Sequence, residues 1–302
     1  MNYGNILTTT WKRIWQNKSI IWFGMLMMLG PALIGLLMGG YVSLSSPGQI
    51  ERFFESEPSD VVLLIFFFAY FFFIAFTIGM TAISFVGVLK GTLMTQNSTT
   101  PLTFSELWEA SLPYFWRMLG VMFSVGFMLF MVYMVPVVVL ALFGAVTAGV
   151  GFLCAIPFML LLIPVGIVGY LLFSLSMAAL VAEDGTVFDT IRSAWTTLRA
   201  KFWPLVLMTV ILYMLQFGVG LVIAIPMNVI QFAFMIPMSA SNVDPAEMLR
   251  YFGIFLALFI PLSSIVQSLG LTYVNSAWML TWLEAGTPPS VDPEDEIIEY
   301  AA

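Results

Sequence analysis

The sequence predicts an all-α integral membrane protein, with six transmembrane helices and three short amphipathic helices on the cytoplasmic surface. The 302-residue chain is 61% hydrophobic and 9% charged, whereas a soluble domain is roughly half apolar and a quarter charged. The apolar residues fall in six uncharged runs, each exceeding the roughly 20 residues that a helix needs to cross a bilayer. The runs lack the two-residue alternation of barrel strands, which leaves helices as the structure that satisfies their backbone in lipid.

The six runs define one membrane domain. The predicted spans cover about residues 19–43, 61–89, 118–140, 152–181, 204–236 and 251–283. The domain extends over 1–285, and the proline-containing acidic segment 286–302 is expected to be a disordered cytoplasmic tail. Three prolines in the last two runs predict helices that are tilted, kinked or extended beyond the bilayer.

The basic residues predict the orientation. With six spans, one side of the membrane holds eight of the ten Lys and Arg residues, and the other side holds Arg52 and Arg250. The eight are Lys12, Arg13, Lys18, Lys90, Arg117, Arg192, Arg199 and Lys201. Cytoplasmic loops are enriched in basic residues, so both termini are expected on the cytoplasmic side of a bacterial inner membrane. A count of five or seven spans would place the acidic tail outside.

Three short segments before spans one, three and five have a helical apolar stripe. The stripes are Leu7, Trp11 and Ile14; Trp108, Leu112, Phe115 and Leu119; and Ile191, Trp195, Leu198 and Phe202. Thr103 with Glu106 and Thr186 with Asp189 match capping boxes, Asn5 is the expected cap of the first helix, and Pro113 interrupts the second. The layout of one surface helix and two spans therefore occurs three times, which suggests an internal repeat.

These surface helices are expected to anchor the domain at the lipid headgroups. The expected interfacial anchors are Trp11, Trp108, Ile191, Trp195, Leu198, Phe202 and Trp203. A docking surface for a partner protein is the alternative interpretation of the same charged segments.

Three parts of the sequence resemble a group of uncharacterised bacterial membrane proteins. They are "ILTTTWKRIWQNKSIIWFG", "AALVAEDGTVFDTIRSAWTTLRAKFWPLV" and "YVNSAWMLTWLEA". The group includes the membrane domain fused to some glycerophosphoryl diester phosphodiesterases. The resemblance implies a helical domain of several spans and carries over no active site, because the soluble phosphodiesterase portion and its histidines are absent.

The composition argues against most chemistry. The chain has no histidine and one cysteine, Cys154, which leaves no zinc, haem or redox ligand set, so no metal or cofactor is expected. Clustered phosphate-binding cations are also lacking, so nucleic acid is not an expected partner. No charge lies within a predicted span, which argues against ion coupling through membrane carboxylates. An enzyme is not expected.

Polar residues on spans five and six form the one candidate site, which we call the polar seam. Its members are Gln216, Gln231, Ser264, Gln267, Ser268 and Asn275. The seam either hydrogen-bonds the two helices together or lines a cavity for a substrate. The Gly35/Gly39 and Gly87/Gly91 pairs predict close helix packing within the chain in preference to a dimer face.

Two functional hypotheses follow. The first is a non-enzymatic scaffold, assembly factor or accessory subunit, whose partners are membrane lipids and either another membrane protein or a second copy of the chain. The second is a transporter of a small neutral or lipidic substrate that passes through the polar seam.

Overall fold

The computed structural model describes residues 1–45, 60–96, 100–147, 155–240 and 245–286, which are almost entirely helical and contain no strand. The helices are α1 (Tyr3–Gln16), α2 (Lys18–Met27), α3 (Leu29–Leu44), α4 (Asp60–Met94), α5 (Phe104–Ser111), α6 (Phe115–Val146), α7 (Ala155–Glu183), α8 (Val187–Ala200), α9 (Phe202–Ala240) and α10 (Pro245–Gly286). A short 3-10 turn, Leu112–Tyr114, separates α5 from α6 at Pro113, where the sequence predicts an interruption. The acidic tail lies outside the described residues.

Helices α4, α6, α7, α9 and α10 each contain a stretch that is long and apolar enough to cross a membrane. The predicted first span, 19–43, is not one continuous helix, because α2 and α3 meet at an angle of 57°. Pro31 explains the break: a proline has no N–H to donate, and its ring clashes with the carbonyl four residues earlier, at Met27. If the bent pair is counted as one span, the total is six.

The bent pair advances steadily along its neighbours. Its successive contacts pair Ile20 with Gly91, Phe23 with Gly87, Gly30 with Thr77, Gly35 with Ile260 and Gly39 with Gly253. The contacted residue numbers fall along α4 and then along α10, so each successive contact lies farther from the C-terminal end of its helix. Helices α2 and α3 therefore run in one direction and do not turn back. Both glycine pairs pack within the chain, as the sequence predicts.

The buried core lies at one end of the helix bundle. It is built from the last turns of α4, α7 and α10, the first turns of α6 and α9, and one stripe each of α1 and α8. At the other end the helices share few buried side chains, and every side chain from Leu63 to Phe72 of α4 is exposed. The buried core is thus concentrated at one end, and away from it α3 still crosses α10 closely at Gly39 and Gly253.

Hydrogen bonds tie the chain together at the end that holds the core. The backbone N–H of Asn2 donates to Glu284 Oε1 at 2.7 Å, and Lys201 Nζ donates to the Ala285 carbonyl at 2.7 Å. Arg117 forms a 2.7 Å ion pair with Asp184. These contacts bring the segments that carry the eight clustered cations to the same end of the bundle.

Each of the three predicted surface helices, α1, α5 and α8, begins at a capping side chain. The cap of α1 is Asn2, whose Oδ1 accepts the N–H of Asn5, so the expectation that Asn5 is the cap is wrong. A cap must lie outside the helix, and Asn5 is already two residues inside it. Thr103 forms the complete capping box with Glu106, and Thr186 caps α8.

The three short helices bury the same positions, counted from their caps. Residues four and eight after the cap are buried in all three, and residue twelve is also buried in α1 and α8. They are Ile6, Thr10 and Ile14 in α1, Leu107 and Ser111 in α5, and Thr190, Ala194 and Leu198 in α8. The residue eight after the cap is small in all three, namely Thr10, Ser111 and Ala194, which lets the helices lie close against the bundle.

The expected interfacial anchors mostly border this buried stripe. Trp11 is 59% exposed, Trp203 is also exposed, and Trp195 is 38% exposed. The remaining anchors are half-buried, namely Trp108, Ile191 and Phe202, except Leu198, which is buried in the core. Trp11, Trp108, Ile191 and Trp195 thus lie along the edge of the packed stripe, one residue beyond its buried positions, whereas Leu198 belongs to the stripe itself.

Candidate functional site

The structure divides the polar seam into two groups. Gln216 of α9 and Gln267 of α10 both line a cleft of about 490 Å³ between these helices, which we call the amide cleft. Its full lining is Gln216, Gly220, Ile223, Ala224, Met227, Phe259, Ile260, Ser263 and Gln267. Gln231 lies on α9, but its side chain is outside the described residues.

The other seam residues are not part of the cleft. The hydroxyls of Ser264 and Ser268 donate to carbonyls of their own helix at 2.7 Å, and Asn275 Nδ2 donates to the Leu271 carbonyl at 2.8 Å. Asn275 also contacts Met27 Sδ at 3.8 Å, on the side of α10 that faces α2. These bonds follow the usual tendency of short polar side chains to bind the preceding helical turn, so they do not join α9 to α10.

Gln216 has an unusual hydrogen-bonding position. Its Oε1 atom is buried and has no hydrogen-bond partner within the described residues. A side chain at Gly270 would place its Cβ 2.9 Å from that oxygen, so the amide lies against bare backbone of α10. A buried acceptor without a partner costs about 1–3 kcal/mol, and a ligand that donates a hydrogen bond would remove this cost.

The cleft is polar without being charged. None of its lining residues is ionisable, and most are apolar. Ser263 Oγ already donates to the Ile260 carbonyl at 2.9 Å, so toward the cleft this oxygen can only accept. The amide nitrogens of Gln216 and Gln267 supply donors. The site therefore suits an uncharged molecule with a hydroxyl or N–H group and an apolar body.

A smaller, charged cavity of about 200 Å³ lies at the end that holds the core, between α1 and the last turns of α10. Arg13 and Glu284 line it together with Asn5, Thr9 and Gln96. Arg13 donates to the Thr92 carbonyl at 3.4 Å, and burial lowers the pKa of its guanidinium. Glu284 accepts the backbone N–H of Asn2. The charged side chains around this cavity thus join the ends of the helices.

No protein-family model, curated protein or solved structure matches this chain. The resemblance to the phosphodiesterase-associated membrane domain therefore stays a prediction. Among the described residues, no group of three or more His, Cys, Asp or Glu side chains is placed to hold a metal ion.

Sequence patterns identified only part of this site. Gln216 and Gln267 were found because amides are rare in apolar helices. Gly220, Phe259 and Ser263 were missed, since nothing in their local sequence sets them apart. The spacing of Phe259, Ser263 and Gln267 at intervals of four residues was the available signal, as such residues share one face of a helix.

Proposed function

We propose that this chain is a non-enzymatic membrane protein that binds an uncharged lipidic molecule in the amide cleft and moves it between membrane and cleft. The observation that supports this most directly is the buried, unpartnered Oε1 of Gln216. The absence of ionisable side chains from the lining disfavours a charged ligand, because a desolvated charge needs a partner.

Prolines beside the cleft support the movement of a bound molecule. Pro226 precedes the lining residue Met227, and Pro261 follows Ile260. Each proline leaves the carbonyl four residues earlier without its helical hydrogen bond, so each helix can bend there. Broken helices beside a polar site are a recurring feature of transporters.

We further propose six spans, with both termini on the cytoplasmic side of a bacterial plasma membrane, built from three units of one surface helix and two spans. The steady advance of α2 and α3 along α4 and α10 supports the sixth span. Helices α1 and α8 are both 14 residues long and bury the same positions after the cap, which supports the repeat. The clustering of cations at one end supports the orientation.

The binding proposal can be tested with two probes that differ only in a hydrogen-bond donor. We suggest measuring binding of a diacylglycerol, and of the same molecule with its hydroxyl methylated, to the purified chain in nanodiscs. One net hydrogen bond is worth about 0.5–1.5 kcal/mol, so the hydroxyl form should bind about two- to tenfold more tightly. Gln216→Leu should abolish this difference and leave the methylated probe unaffected.

Asn228→Leu is the matched control, because Asn228 is an exposed amide of α9 that binds its own helix and does not line the cleft. This variant should keep the preference for the hydroxyl probe. If the wild-type chain shows no preference, or if Asn228→Leu loses it as fully as Gln216→Leu, the proposed role of the cleft is refuted.

A second candidate function is that of an accessory subunit that packs against a helix of another membrane protein. It is favoured by α4, where Phe66, Phe67, Phe68, Tyr70, Phe71 and Phe72 are all exposed. A photo-crosslinking residue at Phe68 should then capture a discrete protein, whereas the same residue at Phe127 of α6 should capture lipid. The two positions are 64% and 61% exposed, and equal capture of lipid at both would exclude this candidate.

A further inference from the structure

A second groove lies on the opposite side of α9 and α10 from the amide cleft. It has a volume of about 620 Å³ and is formed by three helices. Leu7 and Trp11 of α1 close one end of it, Val219 and Val222 of α9 form one wall, and Leu269 and Tyr273 of α10 contribute to the other. The groove follows α9 and α10 for about two turns, or about 10 Å at 1.5 Å per residue.

Most of the groove lining is apolar, and its end at α1, which we call the mouth, is aromatic. Trp11 packs edge-on against Tyr273 at 6.2 Å between ring centroids and against Trp15 at 5.4 Å. Tyr273 donates from its hydroxyl to the Leu7 carbonyl at 3.0 Å, which fixes α1 to α10 at this point. Trp and Tyr favour the level of the lipid headgroups, so the mouth lies at the membrane–water boundary and the groove extends into the acyl region.

Lys12 of α1 lies one helical turn from this groove. Lys12 follows the groove residue Thr8 by four residues, so the two side chains lie on the same side of α1. Lys12 is exposed and forms neither a hydrogen bond nor an ion pair within the described part of the chain. The nearby cations Arg13 and Lys201, in contrast, are bonded to carbonyls of α4 and α10.

We infer that this groove holds one acyl chain of an anionic phospholipid from the leaflet on the core side, with the headgroup phosphate at Lys12. The apolar walls receive the chain, the aromatic mouth receives the glycerol region, and the free ammonium matches the phosphate charge. Because acyl chains gain little from leaving the surrounding lipid, retention rests on shape and packing in the groove, and headgroup selectivity rests on Lys12. The site is independent of the amide cleft, and its ligand differs in charge.

The test uses the full chain in mild detergent, titrated with phosphatidylglycerol or phosphatidylcholine of equal acyl length, with bound lipid counted by native mass spectrometry. Val222→Trp fills the groove, and Val229→Trp is its control, because the two valines are 67% and 62% exposed on the same helix. Val222→Trp should weaken the first binding event for both lipids by about fivefold or more, and Val229→Trp should leave it unchanged. Leu269→Trp fills the groove from the other helix and should repeat the effect.

The charge is tested separately. Lys12→Gln should reduce phosphatidylglycerol binding by about fivefold, to the level of phosphatidylcholine. Lys18→Gln, which removes an exposed cation from α2 outside the groove, should not. Equal lipid binding by the two tryptophan variants of α9, or a phosphatidylglycerol preference that survives Lys12→Gln, would overturn the inference.

Discussion

The close crossing of α3 and α10 can be tested with two neighbouring glycines. A Cβ on Gly39 would lie 2.6 Å from the Gly253 carbonyl oxygen and 2.8 Å from Ala257 Cα, and it would also meet the Ala257 nitrogen. All three are backbone atoms, which cannot rotate away as a side chain can. Gly40, the next residue, has nothing within 4 Å of the same position. Gly39→Ala should therefore destabilise the protein, and Gly40→Ala should not.

The magnitude follows from the geometry. To restore ordinary contact, the two helices must move apart by about 1 Å, and a gap of this size forfeits about half of each dispersion contact along the crossing. Overpacking of this kind costs about 1–3 kcal/mol, against a gain of up to about 1 kcal/mol from replacing a helical glycine. We expect Gly39→Ala to lower the free energy of unfolding by about 1–2 kcal/mol and Gly40→Ala to leave it unchanged or raise it by up to about 1 kcal/mol.

The assay is equilibrium unfolding in mixed micelles of a mild detergent and dodecyl sulfate, followed by tryptophan fluorescence. A difference of about 2 kcal/mol between the variants corresponds to about a thirtyfold change in the ratio of folded to unfolded protein, which such titrations resolve. Equal stabilities for Gly39→Ala and Gly40→Ala would show that α3 and α10 do not approach closely, and the reasoning would fail.

Three further predictions address the surface helices, the turn before α8 and the topology. Thr10→Leu should lower the free energy of unfolding by about 1–3 kcal/mol, because Thr10 is fully buried. Trp11→Leu should lower it by less, since Trp11 is 59% exposed. The opposite order in the same titration would contradict the packed stripe. Asp184→Asn should lower the free energy of unfolding by less than about 1 kcal/mol, because the ion pair with Arg117 is exposed. Asn also tolerates the backbone φ of 52° at this position. A larger loss of stability in thermal unfolding would mean that the ion pair stabilises the fold. In a cysteine-free background, Gln49→Cys should react with an impermeant thiol reagent added outside intact cells. Ser193→Cys should react only after the cells are lysed. Labelling of position 49 from the cytoplasmic side would reverse the proposed topology.

The sequence predicts the helices well because the bilayer imposes one dominant constraint. An uncharged run of more than about 20 residues has few alternatives to a helix, so the structure extends the predicted spans at 61–89, 118–140 and 204–236 without moving them. The break at Met28 was missed because glycine and proline are common in membrane helices, and Pro31 does not by itself show whether a helix bends or continues.

The buried faces were harder to predict than the helices. In water, large apolar residues mark the face that packs inward, but in lipid they also cover the face that points outward, and small residues mark the contact. The apolar stripe predicted from the sequence contains Trp11 and Trp195. The stripe that packs against the bundle contains Thr10 and Ala194, one residue earlier in each helix.

For a related reason, the sequence predicts some residues of the candidate site but not how they are arranged. The presence of Gln216 and Gln267 in apolar helices identified the amides, but the choice between a shared cleft and separate environments depends on how α9 rotates against α10. That rotation is determined by contacts such as Gly270 against Gln216, which join distant parts of the chain and leave no local pattern.

The crossing of α3 with α10 also has a consequence for biosynthesis. Gly39 and its partner Gly253 are 214 residues apart in the sequence, so α3 is synthesised long before the surface that it packs against. At about 5–20 residues per second, the ribosome needs about 10–40 s to complete the interval. During that time the glycine face of α3 is available to any other helix with small residues, including α3 of a neighbouring nascent chain. Of the described helices, α10 is the last to be synthesised, and it is thus the one that covers this face of α3.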